Sequence, residues 1–524
     1  MNIAGILLQR AAQMVDSAAI LDVHRARDRC YSFRELDQAA AAIAAQLHRL
    51  GLKQGDGVLL LHPVAAELYL LLIAVFRLGC VAMFLDPSAG RAHVERCCAI
   101  FPPKAFFGNR RAHLLRLTLP ALRQAPKALC FEWFPGTTRL DLNQTANTLP
   151  DIALVSNDDP ALITFTSGST GEPKAAMRTH GFLLAQHRAL QQSLHLQPGT
   201  RDLTTLPIFV LANLASGVTS ILPDADLRLP GAINPLPVLS QLKRHSITTT
   251  AASPAFMSRI LDACEESGTQ ITGLQRISLG GAPVFPSILH RTRRLCPHAV
   301  ITAVYGSTEA EPMAEISLAD ISSADFQSMR QGKGLLAGRR VPSISLRVIH
   351  DQWGEPIPPL DTRQFEQMTT ASEEPGEIVV SGEHVLSGYL GGVGDAESKF
   401  EVEGTRWHRT GDLGYLDADG RLWLLGRSSE KIQDERGTLY PFAVECAAME
   451  NPSIRRVAVV SIAGRRVLAV EAATTIGAEE IRRSLAWAQL DQVIFLDRVP
   501  VDKRHNAKID YPALRRKLAN LNRP

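Results

Sequence analysis

Apolar and polar positions along this chain fall into local rhythms that predict alternating strands and helices. From residue 32 to residue 50 the spacing predicts an alanine-rich amphipathic helix. Ser32 stands at its N-cap with Glu35 three positions later, the spacing of a capping box, and Gly51 can end it. Gly57 to Leu61 is a short apolar run of strand length. The most apolar window follows, from Val64 to Cys80, and reads as a buried helix. Glu67 and Arg77 interrupt it, and the uncharged stretch between them is too short to span a bilayer. Cys80 to Leu85 is a second strand-like run, closed by Asp86 and Pro87. Strand, helix, strand is the pattern of a parallel α/β sheet.

The pattern recurs downstream. Ala161 to Phe165 enters a Gly/Ser/Thr stretch, Arg276 to Leu279 enters Gly280-Gly281-Ala282-Pro283, and Val300 to Val304 enters Tyr305-Gly306-Ser307-Thr308. Ligands of open α/β sheets lie beyond the carboxyl ends of strands, where these small-residue loops fall. After about residue 335 the texture becomes β-rich, with a turn at Asp351 to Gly354 and a hairpin turn at Asp417 to Gly420 between apolar flanks. The polar stretch from Arg427 to Lys431 predicts a boundary between residues 1–427 and a C-terminal domain, 428–524, of ordinary domain size.

Composition narrows the class. Over 524 residues, 45% are hydrophobic and 21% charged, the balance of a globular protein with a large core. The net charge of +3 and the absence of a Lys/Arg block speak against a dedicated nucleic-acid binder. The 8 cysteines form no C-x-x-C pair and read as reduced, mostly buried thiols. The first residues lack the basic stretch and apolar core of a signal peptide, so a cytoplasmic enzyme without a transmembrane segment is expected.

The strongest local chemistry runs from Thr166 to Lys174. Gly168 and Gly171 allow a tight turn and close approach of the backbone to an anion. The hydroxyls of Thr166, Ser167, Ser169 and Thr170 and successive N–H groups can donate to phosphate oxygens, and Lys174 adds charge. The spacing is not that of the nucleotide-binding P-loop, and on its own the stretch could equally be a flexible connector.

This stretch resembles the signature loop of the adenylate-forming enzymes: acyl-CoA synthetases, peptide-synthetase adenylation domains and luciferases. Further motifs follow in that family's order: Tyr305-Gly306-Ser307-Thr308-Glu309, Arg409-Thr410-Gly411-Asp412, Gly426-Arg427, and Asn506-Ala507-Lys508-Ile509. The resemblance covers nearly the whole chain. It implies a large N-terminal α/β domain with parallel-rich sheets and a β-rich subdomain, joined by a hinge to a small mobile α+β domain.

It also implies roles. The 166–174 loop would hold the β- and γ-phosphates of ATP. Tyr305 would stack on adenine, with Gly281, Ala282 and Pro283 on the other face and Gly306, Ser307 and Thr308 beside it. Glu309 would hold Mg²⁺, a hard cation suited to carboxylate and phosphate oxygen. Asp412 would accept from the ribose hydroxyls, and Arg427 would fix the ribose and phosphate region. Lys508 would neutralise charge as a carboxylate attacks the α-phosphate, aided by Lys174 and Thr170. Each has a bland rival: a core tyrosine, a solvated glutamate, a turn aspartate, a lysine in a basic tail. Lys508 and the phosphate loop would meet through domain closure about Ser429.

Three departures concern the step after adenylation. Val210, in Leu206-Pro207-Ile208-Phe209-Val210, stands where many acyl-CoA synthetases carry histidine. Ser429 takes the hinge position and Gln433 replaces a lysine. Arg504-His505-Asn506-Ala507-Lys508-Ile509 replaces the usual Ser-Gly-Lys-Ile. Together with Gly437-Thr438-Leu439-Tyr440-Pro441 they are similar to the β-lactone synthetases of olefin biosynthesis. That branch implies adenylation of a fatty or 3-hydroxy fatty acid followed by ring closure through its own hydroxyl. The alternatives are a ligase forming a thioester with CoA or the phosphopantetheine of an acyl carrier protein, and a non-catalytic adenylate-binding protein. The apolar Val210, Leu211 and Leu214 suit an alkyl chain or simply the core. An acyl carrier protein or pathway enzymes would be the partners.

Overall fold

A computed structural model describes residues 1–24, 27–144, 151–167, 173–502 and 508–521. The chain divides into two compact units, Met1–Asp224 with Glu383–Ala396, and Ala225–Gly382 with Glu397–Pro524.

In the first unit, seven strands form one sheet in the order 138–139, 127–130, 105–108, 57–61, 81–84, 160–167, 173–179. All neighbours are parallel except the last pair, an antiparallel hairpin. The expected strands Gly57–Leu61 and Val81–Phe84 pair directly, and Ala66–Arg77 between them is a helix with every residue buried. Its two charges are neutralised locally. Glu67 Oε2 accepts from Arg29 at 2.7 Å, and Arg77 donates to Asp37 Oδ1 at 2.5 Å. Phe33–Arg49 is the predicted helix, with the Ser32–Glu35 capping box formed and Gly51 left-handed at φ 79° beyond its end. Ala18–His24 joins Thr219–Ile221 and Arg201–Thr204 in parallel, with Arg27–Ser32 antiparallel at its other side.

In the second unit three parallel strands, Thr249–Ala252, Arg276–Leu279 and Val300–Tyr305, continue into antiparallel ones. These are Ala314–Ser317, Leu335–Arg340, Leu422–Arg427, Thr405–Leu416, Gly376–Ser381 and Ser345–Ile349. The predicted hairpin at Asp417–Gly420 is present, closed by Asp417 N–H donating to Arg421 O at 3.0 Å. Its first strand is longer than the apolar pattern suggests, 12 residues from Thr405 to Leu416. Arg409 is fully buried within it, held by both oxygens of Glu377 at 2.8 and 2.7 Å.

Farther along this unit, Ile454–Ile462, Arg465–Ala472 and Gln492–Phe495 make a three-stranded sheet. Apolar clusters lie on both faces, one with Val444 and Ile481, the other with Leu514 and Leu518. All cysteines are free, and all but Cys30 are buried. Among the described residues no helix is long and apolar enough to cross a membrane.

Candidate active site

In the first unit the strands Pro160–Ser167 and Pro173–Thr179 stay in register up to Thr166 opposite Lys174 and Ser167 opposite Pro173. The expected phosphate-binding residues Gly168, Ser169, Thr170 and Gly171 lie outside the described residues, as do the side chains of Thr166 and Ser167. Lys174 is described. Its ammonium sits 5.4 Å from the Tyr389 ring centroid, a cation–π distance. Tyr389 is anchored by a backbone bridge to Ala176 and by donating its N–H to Asp395 Oδ1 at 2.9 Å. Gly394, left-handed at φ 89°, lies where a Cβ would collide with the end of Lys174. Tyr389 and Gly394 thus shape the path of the Lys174 side chain. Sequence reasoning missed both, although the glycine-rich run from Gly388 to Gly394 was a visible signal.

The helix Phe209–Ser216 is buried along its whole length and ends at Gly217, left-handed at φ 74°. Val210 is 0% exposed and packs in the apolar core of this unit. One polar side chain pins the helix. Asn213 Nδ2 lies 3.0 Å from Asp202 Oδ2, 3.0 Å from Thr204 Oγ1 and 3.1 Å from Ser220 Oγ. At its far end Ser216 Oγ lies 3.0 Å from His187 Nε2. Desolvation, then the charges of Arg10 and Arg188, lower the His187 pKa to about 4, so this imidazole is neutral at pH 7.

In the second unit the residues expected around a nucleoside come together. Val300–Tyr305 and Arg276–Leu279 are neighbouring parallel strands, so the loops that follow them emerge side by side. A Cβ on Gly280 would lie 3.0 Å from Val304 O, crowding the neighbouring strand, and Gly281 is left-handed at φ 77°, a conformation that favours glycine. Tyr305 Oη donates to Asp412 Oδ2 at 2.7 Å. Arg427, opposite Asp412 in the strand pair, holds the other carboxylate oxygen at 3.2 Å and donates to Thr410 O at 2.8 Å. The Asp412 N–H donates to Thr410 Oγ1 at 3.0 Å. Burial first, then the Asp412 charge, push the Tyr305 phenol well above its ordinary pKa and keep it a donor. A Cβ on Gly306 would crowd Glu311 at 3.1 Å, and Ser307 Oγ accepts the Glu309 N–H at 3.2 Å. Thr308 is exposed and Ala282 and Pro283 are partly so, open to a ligand.

Lys508 is brought to this cluster. Its N–H donates to Asp502 Oδ1 at 3.1 Å, and Val501 bridges Ile509. Residues 503–507, which include Arg504, His505, Asn506 and Ala507, lie outside the described residues. Lys508 stays exposed as a residue, yet its ammonium is shielded enough to shift. Desolvation and then Arg427 lower its pKa, while Asp412, Asp502 and Glu309 oppose them. Arg427, Asp412, Glu309 and Lys508 thus share one electrostatic neighbourhood. A carboxylate such as that of Glu309 suits Mg²⁺, which is bound through one or two carboxylates together with substrate phosphates.

Two side chains that the sequence did not single out complete the surroundings. Trp353, read only as part of a turn, lies against Gly411 and stacks 5.4 Å from the buried Arg409 guanidinium. His408 is buried beside Lys399, and its Nδ1 lies 3.1 Å from Ser398 O. Burial, then Lys399, lower its pKa to about 3, so it is neutral. Ser429, the expected hinge, is exposed in a short turn, Ser428–Glu430. Its neighbours are tethered: Lys431 Nζ and Ser428 Oγ both donate to Asp351, at 2.5 and 3.2 Å, and Glu430 pairs with Arg515.

The sequence pattern of the AMP-binding enzyme family matches residues 7–390. The chain belongs to that family. Like other AMP-binding enzymes of this kind it is an adenylate-forming ligase, and two similar proteins are olefin β-lactone synthetases. The one from Stenotrophomonas maltophilia strain K279a is 31% identical, over 97% of this chain and 96% of the relative. The one from Xanthomonas campestris pv. campestris is 30% identical, again over 97% of this chain and 96% of the relative. Among solved structures, the amide bond synthetase McbA from Marinactinospora thermotolerans superposes with a TM-score of 0.80 at 21% identity, covering 98% of this chain and 99% of that one. The fold of that synthetase is therefore the fold of this chain.

Proposed function

We propose that this enzyme uses ATP and Mg²⁺ to convert a fatty or 3-hydroxy fatty acid to its acyl-adenylate, and then closes the 3-hydroxy acyl group to a β-lactone. In the first step a carboxylate oxygen attacks the α-phosphorus and pyrophosphate leaves. The stretch 166–174, ending in Lys174, is read as the holder of the β- and γ-phosphates. Asp412 and Arg427 would fix the ribose, and Tyr305 with Gly281 to Pro283 would enclose the adenine. Glu309 would hold the magnesium ion, which neutralises phosphate charge. Lys508 would meet the negative charge that builds on the α-phosphate. Residues 428–524 are proposed to act as a mobile domain pivoting at Ser429.

In the second step the 3-hydroxyl oxygen attacks the carbonyl carbon of the mixed anhydride. The carbonyl C–O bond to AMP breaks, and the hydroxyl proton passes to water or to the departing phosphate. The nucleophile is tethered, and proximity offsets part of the ring strain. The observation that carries this reading is Val210. Where many acyl-CoA synthetases carry a histidine, this chain has an apolar side chain that is 0% exposed. Ring closure needs no thiol, so that position has no proton-handling duty. Likeness over 97% of the chain to two enzymes named as β-lactone synthetases supports it. Incubation with Mg-ATP and 3-hydroxy fatty acids, with and without CoA, tests it. Turnover that requires CoA and yields a thioester would overturn the second step alone.

A further inference from the structure

The helix Arg110–Thr118 and the loop after Lys127–Cys130 carry an exposed apolar surface. Three large apolar side chains stand out from it: Leu114 is 56% exposed, Leu117 53% and Trp133 68%. Leu114 and Leu117 share a helix face with Arg110, at spacings of four and three residues. The residues on either side of Trp133 are tied to the first turn of that helix. Its neighbour Glu132 pairs with Arg110 at 3.4 Å, and its other neighbour, Phe134, stacks on His113 with centroids 5.3 Å apart. A solvated surface does not need a tryptophan and two leucines grouped in this way.

The charge around them is one-sided. From Pro103 to Leu140 the sequence holds seven lysines and arginines and one acid, Glu132, a net charge of +6. The whole chain has only +3, from 56 cations and 53 acids, so the remainder is net −3. Arg110, Arg111, Arg123 and Arg139 are all exposed. Exposed Trp and Leu tips in an arginine-rich segment suit the interfacial zone of an anionic bilayer, where apolar tips enter the acyl boundary and guanidinium groups meet phosphates.

We propose that this face, centred on Leu114, Leu117 and Trp133, docks the enzyme on anionic lipid surfaces. Such docking would present the enzyme to fatty acids partitioned in the bilayer. That purpose rests on the fatty-acid reading, but the docking test uses no activity, so the two can fail separately.

The test is co-sedimentation of the full chain with vesicles of phosphatidylcholine alone or with 30% phosphatidylglycerol. Wild type is expected to pellet at least fivefold more with the anionic vesicles, and less as salt rises. A Leu114→Gln/Leu117→Gln/Trp133→Gln variant and an Arg110→Gln/Arg111→Gln variant should each lose at least fivefold, with unchanged thermal unfolding and unchanged turnover of a short soluble acid. Equal pelleting with both vesicle types, or variants that bind like wild type, would overturn the proposal. So would failure to bind vesicles combined with variant-sensitive binding of an acidic acyl carrier protein, which would assign the face to a protein partner.

Discussion

Tyr305 donates its phenol proton to Asp412 at 2.7 Å, while Arg427 holds the opposite carboxylate oxygen at 3.2 Å. The carboxylate is therefore aimed before any nucleotide arrives. Asp412→Asn removes the charge that both partners and a ribose would use. A charged hydrogen bond contributes about 1.5–3 kcal/mol, so the KM for ATP should rise roughly 10- to 100-fold. Tyr305→Phe keeps the ring and should cost only a few-fold. Pyrophosphate-exchange kinetics separate the two, and equal effects would contradict the assigned roles.

Lys508 shares its electrostatic neighbourhood with Asp412, Arg427 and Glu309. If it acts on charge that develops at the α-phosphate, Lys508→Ala should lower the exchange rate by about 10²–10³. Calorimetric ATP affinity should stay within a few-fold of wild type. Unchanged exchange would remove Lys508 from the chemistry.

Gly394 is packed against the end of Lys174 at a backbone angle that side chains avoid. Gly394→Ala must displace the lysine and strain the backbone at once, with a stability cost of about 1–2 kcal/mol. The expected result is a melting temperature a few degrees lower and an adenylation rate reduced about tenfold. A variant with full activity would show that Lys174 does not depend on this segment.

Glu445 is buried and accepts from Tyr511 Oη at 2.7 Å and Val459 N–H at 3.3 Å. Desolvation raises its pKa from 4.5 to about 8. Between these values the folded protein keeps a proton that the unfolded chain releases. The stability associated with this group is thus complete below about pH 4.5 and is lost as pH rises through about 8. Glu445→Gln mimics the protonated acid, so it should raise the melting temperature at pH 8 and leave it nearly unchanged at pH 5. Scanning calorimetry at both values checks the sign.

Arg409 and Glu377 form an ion pair with no exposed side-chain surface. Removing one partner strands the other in the interior. Glu377→Ala should destabilise the protein by about 3–5 kcal/mol in denaturant titration.

Much of this organisation was legible in the chain. The Ser32–Glu35 box, the strand–helix–strand run from Gly57 to Phe84 and the hairpin at Asp417 are local, and local patterns carry their own geometry. The grouping of Tyr305, Asp412, Arg427 and Lys508 was legible as motifs, because these residues stand in segments that resemble those of the adenylate-forming enzymes in the same order. What stayed hidden are partnerships across long sequence separations. Nothing near Trp353 announces that it covers Gly411 and Arg409, and nothing near Asn213 announces its bonds to Asp202 and Ser220. Glu67 and Arg77 looked like flaws in an apolar helix until Arg29 and Asp37 were found to neutralise them.

The central claim is that the acyl-adenylate is consumed by its own hydroxyl. The direct measurement is product analysis by mass spectrometry and NMR after incubating the enzyme with Mg-ATP and a 3-hydroxy fatty acid without CoA. The account predicts AMP release in step with a ring-closed product lighter than the acid by one water. A stalled acyl-adenylate that turns over only when CoA or a carrier-bound thiol is added would contradict it.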